Sequence, residues 1–277
     1  MPALQTSFLI GLLALLPVAV PAQPNTETNS IGMEFVLVPA GSFTMGIFKP
    51  VCAPVGTGQN VTEEEYQECE KMAKAEARPG FKADVPKPFY MGKYEVTQGQ
   101  YQKVMGRNPS YHTQAVVGVA TDKYPVDSVT WQDAQAFMKK LNAMEKTKAY
   151  RMPSELEWEY AARAGTEDET QGRKVDEVAW YMRNSNFVTH PVGGKAPNAW
   201  GLYDMLGNVW EWVADFYDDQ VEPTGPKGPS SGKEHVLRGG GFQAHQKNVR
   251  VLVHAGGPGS VISTGFRVLK EAPGGQK

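Results

Sequence analysis

The chain reads as an α+β domain rich in irregular loop, and three observations support that class. Three short helices share one capping pattern, a Thr or Ser answered three residues later by Gln, Asp or Glu. Between them run long connections in which only a few segments alternate as strands do. Glycine and proline number 29 and 20 of 277 residues, and six tryptophans supply aromatic packing. A helical bundle would show neither that punctuation nor those connections.

The amino terminus, MPALQTSFLIGLLALLPVAVPAQ, sets the compartment. Phe8 to Val20 is apolar, is interrupted by Pro17, and is too short to span a bilayer comfortably. Val20 and Ala22 occupy the small-residue places before Gln23, so residues 1–22 are expected to be a cleaved secretory signal, although no Lys or Arg precedes the run. No Cys follows it, which disfavours a lipid anchor, and no later stretch is apolar enough to cross a membrane. The expected location is secreted, in the periplasm of a Gram-negative cell. Lys and Arg total 28 against 30 Asp and Glu, a formal net charge of −2, so there is no footprint for nucleic acid or an anionic membrane. Residues 30–271 are long enough for one large domain with a full core, followed by a tail at 272–277.

Gly32 to Gly46, GMEFVLVPAGSFTMG, alternates Met33, Phe35 and Leu37 with Glu34, Val36 and Val38, then turns through Pro39-Ala40-Gly41. That pattern predicts an opening hairpin. Residues 47–84 read as an insertion, with Pro50, Pro54, Gly56 and Gly58 before a charged helical stretch. It holds both cysteines, Cys52 and Cys69. In an oxidising compartment the plain reading is a disulfide, contributing about 3 kcal/mol if unstrained. The alternative is a redox or metal-binding thiol pair, against which stand the wide spacing and the lack of a nearby His.

Lys87 to Glu95 predicts another strand. Thr97 with Gln100 opens a helix stopped at Gly106. Thr130 with Asp133 opens a second, in which Ala134, Phe137, Met138 and Leu141 share one face. Ser154 with Glu157 opens a third, carrying Leu156, Tyr160 and Ala161 and ending at Gly165. Pro223 to Gly232 is a polar surface loop, and Glu271 to Lys277 a frayed tail.

Asn198 to Tyr217, NAWGLYDMLGNVWEWVADFY, fits no simple helix or strand period. It combines Trp200, Trp210 and Trp212 with Asp204, Glu211 and Asp215, punctuated by Gly201 and Gly207. Carboxylates and backbone carbonyls so close together, with aromatics behind them, suit a turn that wraps a hard cation.

In order along the chain, GMEFVLVPAGSFTMG, KYEVTQGQY, YPVDSVTWQDAQAF, YRMPSELEWEYAARAG, APNAWGLYDMLGNVWEWVADFY, VLRGGGF and GFRV resemble the successive blocks of the sulfatase-modifying-factor family, whose founding members are formylglycine-generating enzymes. The resemblance covers nearly the whole mature chain. It implies a loop-rich variant of the C-type lectin fold with a structural calcium. The calcium set carried over is the side chains of Asp204 and Glu211 and the carbonyls of Gly207 and Val209, against the plainer reading of a capped turn. A second calcium loop is not expected, since Asn184 to Pro197 is short and carries no acid.

Function does not follow from fold. The family's oxidase holds copper(I) through two cysteines between its RGG and GFR blocks, soft ligands suited to that ion. Here that region reads RGGGFQAHQKNVRVLVHAGGPGSVISTGFRV, and by spacing the two places fall near Gln246 and Val251. No copper is expected, and formylglycine generation by that mechanism is not. The groove candidates are Gln243, His245, Gln246, Arg250, Val251 and His254, with His235 nearby. No HxH or HxxxH spacing supports chelation, which favours plain polar groove histidines. Arg238 and Arg267 are expected to be structural.

The expectation is therefore a non-catalytic binding or accessory protein engaging a periplasmic or envelope protein or peptide, similar to exported members that support secretion-system signalling. An oxidoreductase with other chemistry, similar to the branch in siderophore maturation, is the alternative, with Gln243, His245 and His254 as its carriers. Calcium-dependent carbohydrate binding is a third reading.

Overall fold

The structure, a computed structural model, describes residues 25–47, 63, 67, 71, 80–217, 228–257, 259 and 261–273. The expected signal, the tail beyond residue 273, and both Cys52 and Cys69 lie outside the described residues.

In chain order the elements are β1 (Thr26–Thr28), β2 (Glu34–Val38), β3 (Gly41–Met45), β4 (Phe81–Val85), β5 (Phe89–Gly92), α1 (Gln98–Met105), α2 (Gln114–Val117), α3 (Trp131–Met144), β6 (Tyr150–Arg151), α4 (Glu155–Arg163) and α5 (Val175–Val178). Then follow β7 (Ala179–Trp180), β8 (Leu206–Gly207), β9 (Trp210–Tyr217), β10 (Glu234–Arg238), a 3-10 turn at Gln246–Asn248, β11 (His254–Gly257), β12 (Thr264–Phe266) and β13 (Leu269–Glu271). One sheet has the order β1-β2-β5-β13-β6 and a second β11-β10-β9-β12, with two further pairs, β3-β4 and β7-β8.

All three predicted helices form where their caps place them. Thr97, Thr130 and Ser154 each make a reciprocal capping box with Gln100, Asp133 and Glu157. Gly106 ends α1 in the left-handed region at φ 78, whereas α4 ends on Ala164 at φ 46, one residue before the predicted Gly165. The α3 face of Ala134, Phe137, Met138 and Leu141 is buried, as its spacing requires. Phe137 stacks on Tyr101 at 5.7 Å and meets Phe266 edge-on at 5.2 Å, tying α1 and α3 to the second sheet. Burying one such ring contributes about 1.5–3 kcal/mol.

The opening hairpin does not form. β2 pairs with β1 and β5, while β3 pairs with β4 from Gly41 opposite Val85 to Met45 opposite Phe81. Pro39-Ala40 carries the chain from one sheet to another, and β2 can be apolar at adjacent positions because Phe35, Val36 and Val38 are all fully buried. The last residues of the predicted insertion belong to β4. Of the predicted strand at Lys87 to Glu95, only Phe89–Gly92 is regular. Glu271, assigned to the tail, pairs in β13 opposite Phe89 and accepts a hydrogen bond from Arg151 Nε at 2.6 Å.

The Asn198–Tyr217 run also departs from expectation, since its second half is a regular strand, β9. β9 is central, with β10 antiparallel on one side and β12 parallel on the other, and successive Glu211, Trp212 and Val213 are all buried, so both faces of its first half are packed. That is why the run lacks a polar/apolar alternation. Trp212 is buried and donates from Nε1 to the Val129 carbonyl at 2.9 Å.

Candidate functional site

The turn before β9 is built around Asp204. Asp204 and Asn208 both stand at positive φ, 52 and 57, which their short polar side chains tolerate. Gly207 is at φ 79, and a Cβ there would collide with the Trp180 carbonyl oxygen, so the tight β7–β8 pairing requires glycine. This turn brings three buried carboxylates together: Asp204, Glu211 and Glu95. Glu95 escaped the sequence reading, because it lies at the far end of a separate block and reaches Val209 across 114 positions.

Arg267, fully buried, is the guanidinium among them. Its Nη2 donates to Glu211 Oε1 at 2.7 Å and its Nε to both Glu211 oxygens at 3.1 Å, while Nη1 and Nη2 also reach the carbonyls of Gly92, Tyr203 and Asp204. Glu211 Oε2 also accepts from Trp158 Nε1 at 2.7 Å. The Glu211 oxygens, predicted for calcium, are thus already spent on Arg267 and Trp158. Glu95 accepts one bond at each oxygen, from Asn208 Nδ2 at 2.7 Å and the Val209 amide at 3.0 Å. Asp204 Oδ2 accepts from the Gly193 amide at 2.6 Å, while Asp204 Oδ1 is buried with no hydrogen-bond partner among the described residues.

Burial pushes the Asp204 carboxyl up to about 6, opposed by the Gly193 amide and Arg267 and reinforced by Glu211. Glu95 is raised well above the carboxylate range by burial and by the charges of Asp204 and Glu211. Three carboxylates thus face one buried guanidinium, with an unpartnered oxygen and spare lone pairs on Glu95. That donor chemistry fits a hard divalent cation at Asp204, with Glu95 as a further carboxylate.

A second network lies under the groove segment. Arg238 donates to Glu155 Oε1 at 2.6 Å, Glu159 Oε2 at 2.8 Å and the Val251 carbonyl at 2.6 Å. Arg163 bridges Glu159 and Glu169 at 2.8 and 3.0 Å. The amides of Val251 and Leu252 are held by Glu169, through its carbonyl and Oε2 respectively. His254 Nδ1 meets Glu155 Oε1 at 3.0 Å, with its side chain 26% exposed. Burial pushes Glu155 up, but the His254 hydrogen bond and the Arg238 charge outweigh it and hold the carboxyl below its usual range. Arg238 and Arg267 are structural, as expected from the sequence.

The groove candidates divide. Val251 is fully buried beneath the segment, Arg250 is half-buried, and Gln243, His245 and Gln246 are exposed on the surface. His254 is committed to Glu155, and His235 lies between Trp131 and Phe216, with ring separations of 3.7 and 4.5 Å. Among the described residues no three His, Cys, Asp or Glu side chains form a metal-binding group. A cavity of about 470 Å³ lies elsewhere, lined by Asp84 to Phe89, Arg151, Leu156, Glu157 and Glu271, none of them a predicted site residue. Its one guanidinium, Arg151, is already satisfied by Glu157 and Glu271. No helix among the described residues is long and apolar enough to cross a membrane.

A family profile described as the sulfatase-modifying factor enzyme 1-like domain matches residues 20–272. The chaperone protein LppX of Paenibacillus barcinonensis is 31% identical over 188 residues, covering 49% of this chain and 65% of its own. The formylglycine-generating enzyme of Mus musculus is 35% identical over 142 residues, covering 44% of this chain and 36% of its own. The chain thus spans less than two thirds of the length of either relative. Among solved structures, Treponema denticola variable protein 1 superposes with a TM-score of 0.70 at 26% identity, covering 91% of this chain and 100% of that one. The structure of PvdO from Pseudomonas aeruginosa gives 0.67 at 25% identity over the same shares, 91% and 100%.

Proposed function

The chain belongs to the sulfatase-modifying factor enzyme 1-like family, and from that premise we propose that it is an exported, non-catalytic binding or accessory protein of the cell envelope, built on a calcium-clamped turn. Its fold is the family's loop-rich α+β variant of the C-type lectin fold. The observation that carries the proposal is the chemistry of the groove segment. Residues 238–267 contain no cysteine, so no thiolate pair is available for copper(I). The two places expected for it hold an exposed amide, Gln246, and a fully buried valine, Val251. A relative named as a chaperone protein, 31% identical, supports a partner-binding role.

Calcium, when bound, would supply positive charge to the carboxylate cluster and fix the turn. Asp204 and the carbonyls of Gly207 and Val209 would hold it, joined by Glu95, while Glu211 keeps Arg267 in place beside them. The unpartnered Asp204 Oδ1 and the excess of carboxylate over guanidinium support this reading.

One feature favours the oxidoreductase alternative. Glu155 fixes His254 through Nδ1, the arrangement that orients an imidazole for proton transfer through its other nitrogen. Metal content of protein purified without added metal, together with oxygen uptake in the presence of thiol and amine substrates, separates the two readings. The binding reading expects no uptake and no stoichiometric copper or iron. Either metal at one per chain, lost on His254→Ala, would establish the alternative instead.

A further inference from the structure

Three loops meet on the adjacent pair Gly241 and Phe242, the latter fully buried. Ser185 Oγ donates to the Phe242 carbonyl at 2.8 Å, and the His112 ring meets the Phe242 ring edge-on at 4.7 Å. Ser263 comes against the adjoining Gly241, 3.3 Å from where a Cβ would stand. Each loop turns large apolar groups to solvent: Tyr111 beside His112, Phe187 just after Ser185, and Val261 and Ile262 before Ser263, at 54, 58, 48 and 37% exposure. Exposed apolar residues scattered singly are ordinary, but four on loops that converge on two adjacent residues are not. Phe187 also sits at φ 59, directly after Asn186 at φ 54, a left-handed conformation that is an outlier for an aromatic residue. The bond from its amide to Ser185 Oγ, 3.1 Å, holds it there. Strain of that kind persists where the surroundings enforce it, and here it presents a ring to water.

Charge is distributed just as unevenly. Residues 96–121, 178–203 and 235–270, which contain the three loops, carry no Asp or Glu, although the chain as a whole has a formal net charge of −2; Asp127, which accepts from the Tyr111 and His112 amides of the first loop, is fully buried beneath it. Exposed cations stand among them. Arg183 follows Met182, whose amide donates to the Ala244 carbonyl at 3.2 Å, and Lys247 lies in the 3-10 turn just beyond Ala244.

We propose that this apolar and cationic face docks an acidic segment of a partner protein, one whose Asp and Glu residues flank aromatic or aliphatic anchors. The proposal rests on the binding reading above and gives its partner a chemistry. The anchors would cover Tyr111, Phe187, Val261 and Ile262, and the acids would meet Arg183 and Lys247. Apolar anchors carry affinity in such interfaces, whereas complementary charge sets specificity and speed of encounter.

The test is selection from a random peptide display library on the immobilised full chain, followed by binding of one synthetic enriched peptide to variants. Enriched sequences are expected to place acidic residues beside aromatic or aliphatic ones. Their binding should weaken with added salt and fall at least about tenfold in Arg183→Glu/Lys247→Glu and in Phe187→Ser. All three substituted residues are exposed, so unchanged melting temperatures are expected. Enrichment of basic or charge-free sequences, no enrichment, or full binding by the charge-reversed variant would overturn the proposal. So would heparin displacing the peptide while Phe187→Ser binds normally, since that would make the face a general polyanion site. Oxygen uptake measured on the same proteins keeps the two failures apart. Uptake that survives charge reversal defeats the non-catalytic reading alone, whereas loss of the acidic preference without uptake defeats the docking face alone.

Discussion

Two buried arginines hold this molecule together under different conditions. Arg238 sits among Glu155, Glu159 and the Val251 carbonyl, and Arg163 and His254 close the outer bonds of the same network. What it leaves unpartnered is a donor, its own Nε. Arg267 is a single guanidinium beside Glu95, Asp204 and Glu211, and what that cluster leaves unpartnered is an acceptor, Asp204 Oδ1. An orphaned donor gives no reason to expect a cation, whereas an orphaned carboxylate oxygen among like charges does. The groove network is close to complete from the chain's own side chains, and the turn is short of positive charge.

The largest test of that contrast removes each arginine. Arg238→Met removes the guanidinium shared by Glu155 and Glu159, leaving them only His254 and Arg163 as cationic partners, and is expected to cost about 3–5 kcal/mol in urea unfolding, with or without calcium. Arg267→Met is expected to cost a similar amount in EGTA, with part of the loss restored by calcium. Equal calcium responses in the two variants would erase the distinction.

A smaller effect is expected at Asp204. Asp204→Asn keeps an acceptor for the Gly193 amide while removing one buried charge. Stability in EGTA should rise by about 1 kcal/mol, and the stabilisation by calcium should shrink, both read from thermal melts.

Asp204 and Glu155 should also titrate in opposite senses. Asp204 is raised from 3.8 to about 6, so its contribution to the calcium-free fold is fully present below the unfolded value and is lost as pH rises through about 6. Glu155 is lowered from 4.5, so its contribution is present above that value and is lost as pH falls through its folded value. Calcium-free melts of Asp204→Asn and Glu155→Gln should lose these opposing slopes one at a time.

The smallest expected effect is local. Ser154→Ala removes the cap of α4, the helix that carries Glu155 and Glu159, and should cost about 1 kcal/mol. The calcium response should not change.

The sequence was most readable where structure is local. Each helix start is written within four residues, so Thr97, Thr130 and Ser154 could be placed without tertiary information. The strands were less readable because their partners are distant. β2 and β3 look like a hairpin in sequence, yet β3 finds β4 at the far end of the predicted insertion, and the first half of β9 hides its period by being packed on both faces. The carboxylate cluster was half readable. Asp204 and Glu211 share a motif, but Glu95 and Arg267 join them only through the fold, and the commitment of Glu211 to Arg267 has no sequence signature. His254 could be named as a groove residue, whereas its bond to Glu155, 99 positions away, could not be foreseen.

The most direct measurement of the central claim, that the Asp204 turn is completed by calcium, is the melting temperature of metal-stripped protein with and without added calcium. At about a hundredfold excess over Kd, calcium should add about 2.7 kcal/mol, raising Tm by roughly 5–10 °C. EGTA should reverse the rise, and Asp204→Ala should lack it. An unchanged melting temperature in the wild-type chain would contradict the account.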